Sequence, residues 1–351
     1  MASPRRGLFV ATILVGSFLL FLVQPMVARM ALPRLGGAPN VWNSAMLVYQ
    51  ALLLAGYAYA HWLSRFAVRR QATIHLSLLA LAALTLPIAL ADLPLPAPGW
   101  EVLWVPLLLV ATVGPVFLVV SAQAPLMQRW FAANPDAGEP WSLYAASNIG
   151  SFTGLIAYPL LAEPLLSLHA QSLVWALGYG LLFVLVALTA WSRWRAGVTV
   201  AEVSTDTGET IGWKRIVLWL ALSAIPSGLM LSTTTHLTTD IFAMPLLWVI
   251  PLGLYLLSFV IAFSDRRLLA RGVMWVAPAI VLFAGSFAML SRNSGTMTIT
   301  LGSCLLLFVI AIALHGRLYE ARPGTARLTL FYFVMSAGGA LGGAFTALIA
   351  P

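Results

Sequence analysis

The amide side chains of Gln24, Asn43, Gln50, Gln123, Gln128 and Asn148 interrupt stretches that are otherwise apolar, as does the run Ser232-Thr233-Thr234-Thr235-His236-Leu237-Thr238-Thr239-Asp240. An unpaired amide or hydroxyl in hydrocarbon is costly, so these groups must face protein or a wet cavity. The chemistry they offer is hydrogen bonding to a polar solute. Covalent chemistry is not indicated. The sequence has no Gly-x4-Gly-Lys-[Ser/Thr] phosphate loop, no strand–glycine loop–helix unit for a nucleotide, no His-Glu-x2-His and no intramembrane Asp pair. His236-x3-Asp240 has helical spacing for two metal ligands, but one such pair is a weak signal. We therefore expect no enzyme activity, cofactor or metal centre.

Charged groups are sparse. All eleven acids fall near the ends of apolar runs or between them, so ion coupling through a deep carboxylate is not supported. His61 and His315, near expected cytoplasmic ends, could titrate, although interfacial hydrogen bonding is the commoner role for such histidines. On the opposite face stand Arg29, Arg34, Glu163, His236 and Asp240. Arg29 could pair with Asp240 or Glu163 as an outer gate, bind an anionic group of a solute, or face lipid headgroups.

These residues must be held by membrane-spanning helices. Of 351 residues, 61% are hydrophobic and 9% charged, against roughly a quarter charged in soluble domains. So little charge cannot cover a water-facing surface, and the apolar excess must face lipid. Eleven stretches are long enough to cross a hydrocarbon core of about 30 Å as helices. They run near 7–28, 42–63, 73–91, 102–126, 142–162, 170–192, 215–235, 244–264, 273–291, 297–315 and 328–350. Pro106, Pro115 and Pro125 are expected to interrupt the fourth, and Pro245 and Pro251 the eighth. Trp42, Trp104, Trp141, Trp213 and Trp248 lie near span ends, where interfacial anchors belong.

With the N-terminus inside, every Lys and Arg except Arg29, Arg34 and Arg292 falls on the cytoplasmic side, as basic residues of short loops should. The net charge of +8 is spread over these connections and needs no nucleic acid to explain it. The one cysteine, Cys304, excludes a disulfide within the chain and a multi-cysteine metal site.

The longest connection, 193–214, divides the chain into residues 1–192, with six spans, and 215–351, with five. An internal repeat supports the division. Tyr144-x5-Gly150-x3-Gly154 in the fifth span matches Tyr332-x5-Gly338-x3-Gly342 in the eleventh, and Ser121-Ala122-Gln123-Ala124-Pro125-Leu126 lies opposite Ala313-Leu314-His315-Gly316-Arg317-Leu318. Two-half transporters are built this way, and the second half would lack its sixth helix. The glycines suit close helix packing, and would also let helices rock.

Several strings carry a family resemblance. Phe21-Leu22-Val23-Gln24-Pro25-Met26-Val27-Ala28-Arg29, followed by Leu32-Pro33-Arg34-Leu35-Gly36-Gly37 and Val41-Trp42-Asn43, resembles the opening of the membrane module in bacterial fused spermidine-synthase-like proteins. Similar strings follow at Gln50 to His61, Tyr144 to Ser151, His236 to Ile241, Leu247 to Phe259, His315 to Tyr319 and Thr329 to Tyr332, so the likeness covers nearly the whole chain. In that family a major-facilitator-like module precedes a soluble aminopropyltransferase-like domain, and some members carry the label of a ferrichrome ABC transporter permease. The soluble domain is absent from these 351 residues, so no polyamine-synthesising activity can be assigned to them. Major-facilitator transporters typically carry Gly-x3-Asp-x2-Gly-Arg-Arg between helices two and three. Gly56 to Arg70 keeps the glycine and the basic cluster and lacks the Asp.

The expected protein is an all-α, polytopic bundle of about eleven spans with a major-facilitator-like two-half repeat, lying in the bacterial inner membrane. It would bind or move a small polar metabolite, and the resemblance implies a polyamine. Gln24, Arg29, Asn43, Gln50, Gln123, Asn148, His236 and Asp240 are expected to line its cleft, with Arg29, Glu163 and Asp240 gating. A noncatalytic platform docking a soluble aminopropyltransferase-like partner is the alternative.

Overall fold

The computed structural model describes residues 6–35, 39–94, 96, 101–133, 140–195, 211–241, 248–264, 267–290 and 296–349. Among these the regular structure is helical. The elements are α1 (Arg6–Leu35), α2 (Pro39–Leu63), α3 (Val68–Ala82), α4 (Glu101–Ala132), α5 (Trp141–Ala157), α6 (Glu163–Leu165), α7 (Leu168–Arg195), α8 (Trp213–Thr235), α9 (Val249–Phe263), α10 (Leu268–Leu290), α11 (Thr296–Glu320) and α12 (Leu328–Leu348). Among the described residues α1, α4, α7, α8, α10, α11 and α12 are long and apolar enough to cross a membrane, by length and composition. Backbone groups satisfied within each helix are what hydrocarbon requires.

Contacts divide the chain into two compact units, one of residues 1–211 with 323–333, the other of residues 212–322 with 334–351. In the first, α1 packs against α4, α5 and α7, α2 lies on α4, and α3 touches α4 and α7. In the second, α11 packs against α8, α9 and α10.

Glycine sets the tightest contacts in both units, and in matching places. A Cβ on Gly150 would stand 2.7 Å from the Leu14 carbonyl oxygen and 3.1 Å from Ser17 Cβ; one on Gly338 would stand 2.7 Å from the Leu220 carbonyl oxygen and 2.8 Å from Ser223 Cβ. One turn on, Gly154 meets the Phe18 carbonyl and Gly342 the Ala224 carbonyl. Leu14, Ser17 and Phe18 are thus the counterparts of Leu220, Ser223 and Ala224. Without a hydrophobic drive between helices in lipid, such backbone approach supplies the van der Waals contact that holds them. Hydroxyls add to both seams: Ser17 Oγ lies 2.8 Å from Ser147 Oγ, and Ser227 Oγ donates to the Gly339 carbonyl at 2.9 Å.

Several expectations about the elements need correction. The third span ends early, because α3 passes through a short 3₁₀ turn, Ala83–Thr85, into extended chain at Leu86. α4 runs without a break through Pro106, Pro115 and Pro125. Pro251 sits in the first turn of α9, where a missing N–H costs nothing, and Pro245 lies outside the described residues. The real break was not foreseen: after α5 the helix widens into a π turn at Tyr158–Ala162. Pro159 explains it, since its ring and absent N–H disrupt the i→i−4 register. Trp104 and Trp248 are buried rather than interfacial, Trp104 donating to the Pro94 carbonyl at 2.7 Å, while Trp213 is exposed as expected. The side chains of Trp42 and Trp141 lie outside the described residues.

Candidate functional site

In the first unit Gln24 is buried on α1, where its Nε2 donates to the Leu20 carbonyl at 3.3 Å and its own carbonyl accepts from Tyr49 Oη at 3.4 Å. Gln123 Nε2, fully buried on α4, donates to the Thr12 carbonyl at 2.9 Å, and a Cβ at Gly16 would collide with its Oε1. Asn148 Nδ2 donates one turn back to the Tyr144 carbonyl at 2.9 Å. Of these three amides Gln123 alone crosses between helices, tying α4 to α1; Gln24 and Asn148 bond one turn back within their own helices, and the Tyr49 hydroxyl joins α2 to the α1 backbone. Gln50 stands on α2, and the side chain of Asn43 lies outside the described residues.

Arg29 and Glu163 do meet. Arg29 Nε lies 3.4 Å from Glu163 Oε1, with the side chains 47% and 30% exposed. The π turn carries α5 past Ala157 and places Glu163 at the start of α6, where Gln171 Nε2 donates to the carbonyls of Ala162 (3.2 Å) and Leu166 (2.9 Å). The widened turn therefore positions one member of the ion pair. Arg34 instead reaches the Ala91 carbonyl at 3.1 Å and Asp92 at 3.5 Å.

A second polar cluster in this unit gathers at the far end of α2 and α4. Tyr332 Oη donates to Gln128 Oε1, and its ring stacks on Tyr144 with centroids 5.0 Å apart. His61 Nδ1 lies 3.0 Å from Thr329 Oγ1 and its ring stacks on Phe333. Gln128 and His61 are legible in the sequence as polar residues, whereas Tyr332, Tyr144 and Thr329 are not legible there as their partners. The repeat had marked both tyrosines, and only as members of a glycine motif.

In the second unit α8 ends in another π turn, His236–Ile241. The hydroxyls of its run bond back to the helix, Thr234 Oγ1 to the Met230 carbonyl and Thr238 Oγ1 to the Thr234 carbonyl, each at 2.8 Å. Such back-bonding bends helices and loosens their register. The turn places His236 beside a cavity of about 250 Å³ lined by Ser232, Thr233, His236 and Ser303 with Leu229, Leu306, Leu307 and Ile310. Three hydroxyls and an imidazole, set against aliphatic side chains of α8 and α11, can donate and accept hydrogen bonds around a small polar molecule. The side chain of Asp240 lies outside the described residues. Among the described residues no group of three His, Cys, Asp or Glu could hold a metal ion.

Two basic or titratable groups are placed differently from expectation. Arg193, expected in a cytoplasmic loop, belongs to α7 and is buried with its guanidinium 5.3 Å from the Phe9 ring. His315, expected at an interface, is fully buried between α11 and α9.

No protein-family model and no curated protein sequence matches the chain. Solved structures do. The chain is similar to the human organic anion transporter MFSD10 (TETRAN), with a TM-score of 0.61 and 14% identity over 99% of this chain and 93% of that one. It is similar to a bacterial homologue of the iron transporter ferroportin in its outward-facing state with soaked iron, with a TM-score of 0.59 and 15% identity over 97% of this chain and 92% of that one. It is also similar to a double-tryptophan mutant of XylE, at a TM-score of 0.56 and 14% identity over 99% of this chain and 88% of that one. Identities this low speak for the fold alone. That fold is the one of major-facilitator-type transporters, and the chain is a multi-pass membrane protein built on it.

Proposed function

We propose that the protein is a secondary transporter that binds a small polar solute in the hydroxyl–imidazole cavity of α8 and α11, and that the Arg29–Glu163 pair acts as a gate within the first unit. The observation that carries this reading is the cavity itself, which sets Ser232, Thr233, His236 and Ser303 around a space of about 250 Å³, on a fold shared with transporters. His236 and the hydroxyls orient the solute. Gln24, Gln123 and Asn148 hold backbone carbonyls and reach a solute only by exchanging those partners; Asn43, Gln50 and Asp240 are proposed as solute contacts on their sequence positions alone. The resemblance to fused spermidine-synthase-like modules makes a polyamine the first solute to try, its ammonium groups donating to hydroxyl oxygens and the imidazole. The distribution of Lys and Arg supports an inner-membrane orientation with the N-terminus in the cytoplasm.

Proteoliposomes holding the full chain test this with labelled spermidine, organic anions and sugars offered in turn. Saturable uptake of one class is expected, lost in His236→Ala and reduced in Arg29→Ala and in Asp240→Asn. Absence of uptake for all, with co-purification of a soluble aminopropyltransferase-like protein, would favour the docking platform instead.

A further inference from the structure

Ser258 Oγ donates to the Tyr255 carbonyl at 2.6 Å and lies 2.8 Å from His315 Nδ1. With its only proton committed to that carbonyl, the hydroxyl can serve the histidine only as an acceptor. His315 is therefore the Nδ1–H tautomer, and Nε2 carries a bare lone pair. His315 is fully buried, and Nε2 has no hydrogen-bond partner among the described residues. The ring is clamped: Phe259 stacks on it with centroids 3.5 Å apart and Tyr255 meets it edge-on at 5.3 Å. A clamp that fixes both ring orientation and tautomer holds a proton acceptor ready.

Among the described residues the acids lie at helix ends or between helices, and His75 and His315 are both fully buried with an unpartnered Nε2. His315 is the one in the unit that holds the cavity, which makes its imidazole the group placed to carry a mobile proton there. His315 lies one and a half turns along α11 from Ile310, which lines the cavity with His236. Few charges compete with it in its own unit. α9 contributes Tyr255, α10 Arg271, α8 Lys214 and Arg215, and α11 itself Cys304, Arg317, Tyr319 and Glu320. Arg317 and Arg267 pair with Glu320, and Arg215 holds the Ala321 and Arg322 carbonyls.

We propose that His315 Nε2 is a proton-binding site that couples solute movement to proton entry. The described conformation is its unloaded state. Loading adds one proton to the Nε2 lone pair and gives an imidazolium that keeps Nδ1–H on Ser258; release restores the neutral ring. The stacked face of Phe259 can share the added charge through cation–π contact. Site and coupling are separable, since only the coupling rests on the transport reading.

The test uses the full chain labelled with 15N-histidine in lipid nanodiscs, titrated from about pH 8.5 to about pH 5 across the ordinary imidazole range. The His315 resonances are identified by their loss in His315→Gln. An acceptor-type Nε2 at the alkaline end that gains a proton on acidification is expected, with Ser258→Ala yielding a mixture of tautomers. An Nε2 that already bears a proton at the alkaline end, or one that stays unprotonated throughout, would overturn the site. A second arm uses proteoliposomes and whichever of the labelled solutes the wild type takes up. An acid-outside step of one pH unit should raise accumulation by up to about tenfold; His315→Gln should abolish that rise and leave exchange at equal pH intact. Persistence of the rise in the variant would overturn the coupling. If the wild type takes up no solute while Nε2 titrates, the transport reading and the coupling fall together, and the proton site stands alone.

Discussion

Tyr332 and Gln128 form the residue-scale contact most open to a simple test. Gln128 is buried, and its Oε1 receives the Tyr332 hydroxyl. Tyr332→Phe strips that donor from a buried acceptor while keeping the ring that stacks on Tyr144. A loss of about 1–3 kcal/mol is expected, seen as a lower midpoint in thermal unfolding of the purified protein, and an unchanged midpoint would mean the amide is otherwise satisfied. Arg29 makes the opposite case. Its ion pair with Glu163 is half-exposed on one side and a third exposed on the other, so it is worth at most about 1 kcal/mol. Arg29→Ala should leave the unfolding midpoint nearly unchanged yet alter solute uptake, whereas a large fall in stability would assign the pair a structural role. The pairing of Arg29 with Glu163 was one of the alternatives legible in the sequence. Choosing it required the π turn at Tyr158–Ala162, which is a consequence of Pro159 that hydropathy does not register. The burial of Gln24, Gln123 and Asn148 against backbone carbonyls was equally invisible, because an amide in an apolar run reads the same whether it serves a solute or a neighbouring helix.

Glycine does the decisive work at the scale of elements. Gly154 and Gly342 stand against the backbone carbonyls of Phe18 and Ala224, with no room for a Cβ. Gly154→Ala and Gly342→Ala should each push a helix pair apart and cost about 1–3 kcal/mol, whereas Gly180→Ala, where nothing lies within 4 Å, should not destabilise. Equal midpoints for all three variants would contradict the packing argument. The repeat Tyr-x5-Gly-x3-Gly was readable because close backbone approach tolerates so few residue types. The early end of α3, the unbroken α4 and the buried Trp104 and Trp248 were not readable, since neighbours decide whether proline bends a helix and whether an indole faces lipid or another helix.

For the molecule as a whole, composition alone required a polytopic membrane bundle, since a chain with 9% charged residues has too few to cover itself in water. The two-half arrangement followed from the repeat, and likeness to transporters of the same fold agrees with both. The proposed solute cavity was only partly legible: His236 stood out in its hydroxyl-rich run, whereas Ser303, on a helix far along the chain, carried no signal of its own. The central claim is that the space between α8 and α11 is wet and open to solute. It is tested most directly by placing Ser232→Cys and Ser303→Cys one at a time in a Cys304→Ser background, with Leu305→Cys, half-exposed on the apolar surface, as the comparison. Both cavity cysteines should react in sealed vesicles with a maleimide too polar to enter lipid and be shielded by the transported solute, while the comparison cysteine stays inert. Cavity cysteines no more reactive than the one at position 305 would show a dry space and contradict the account.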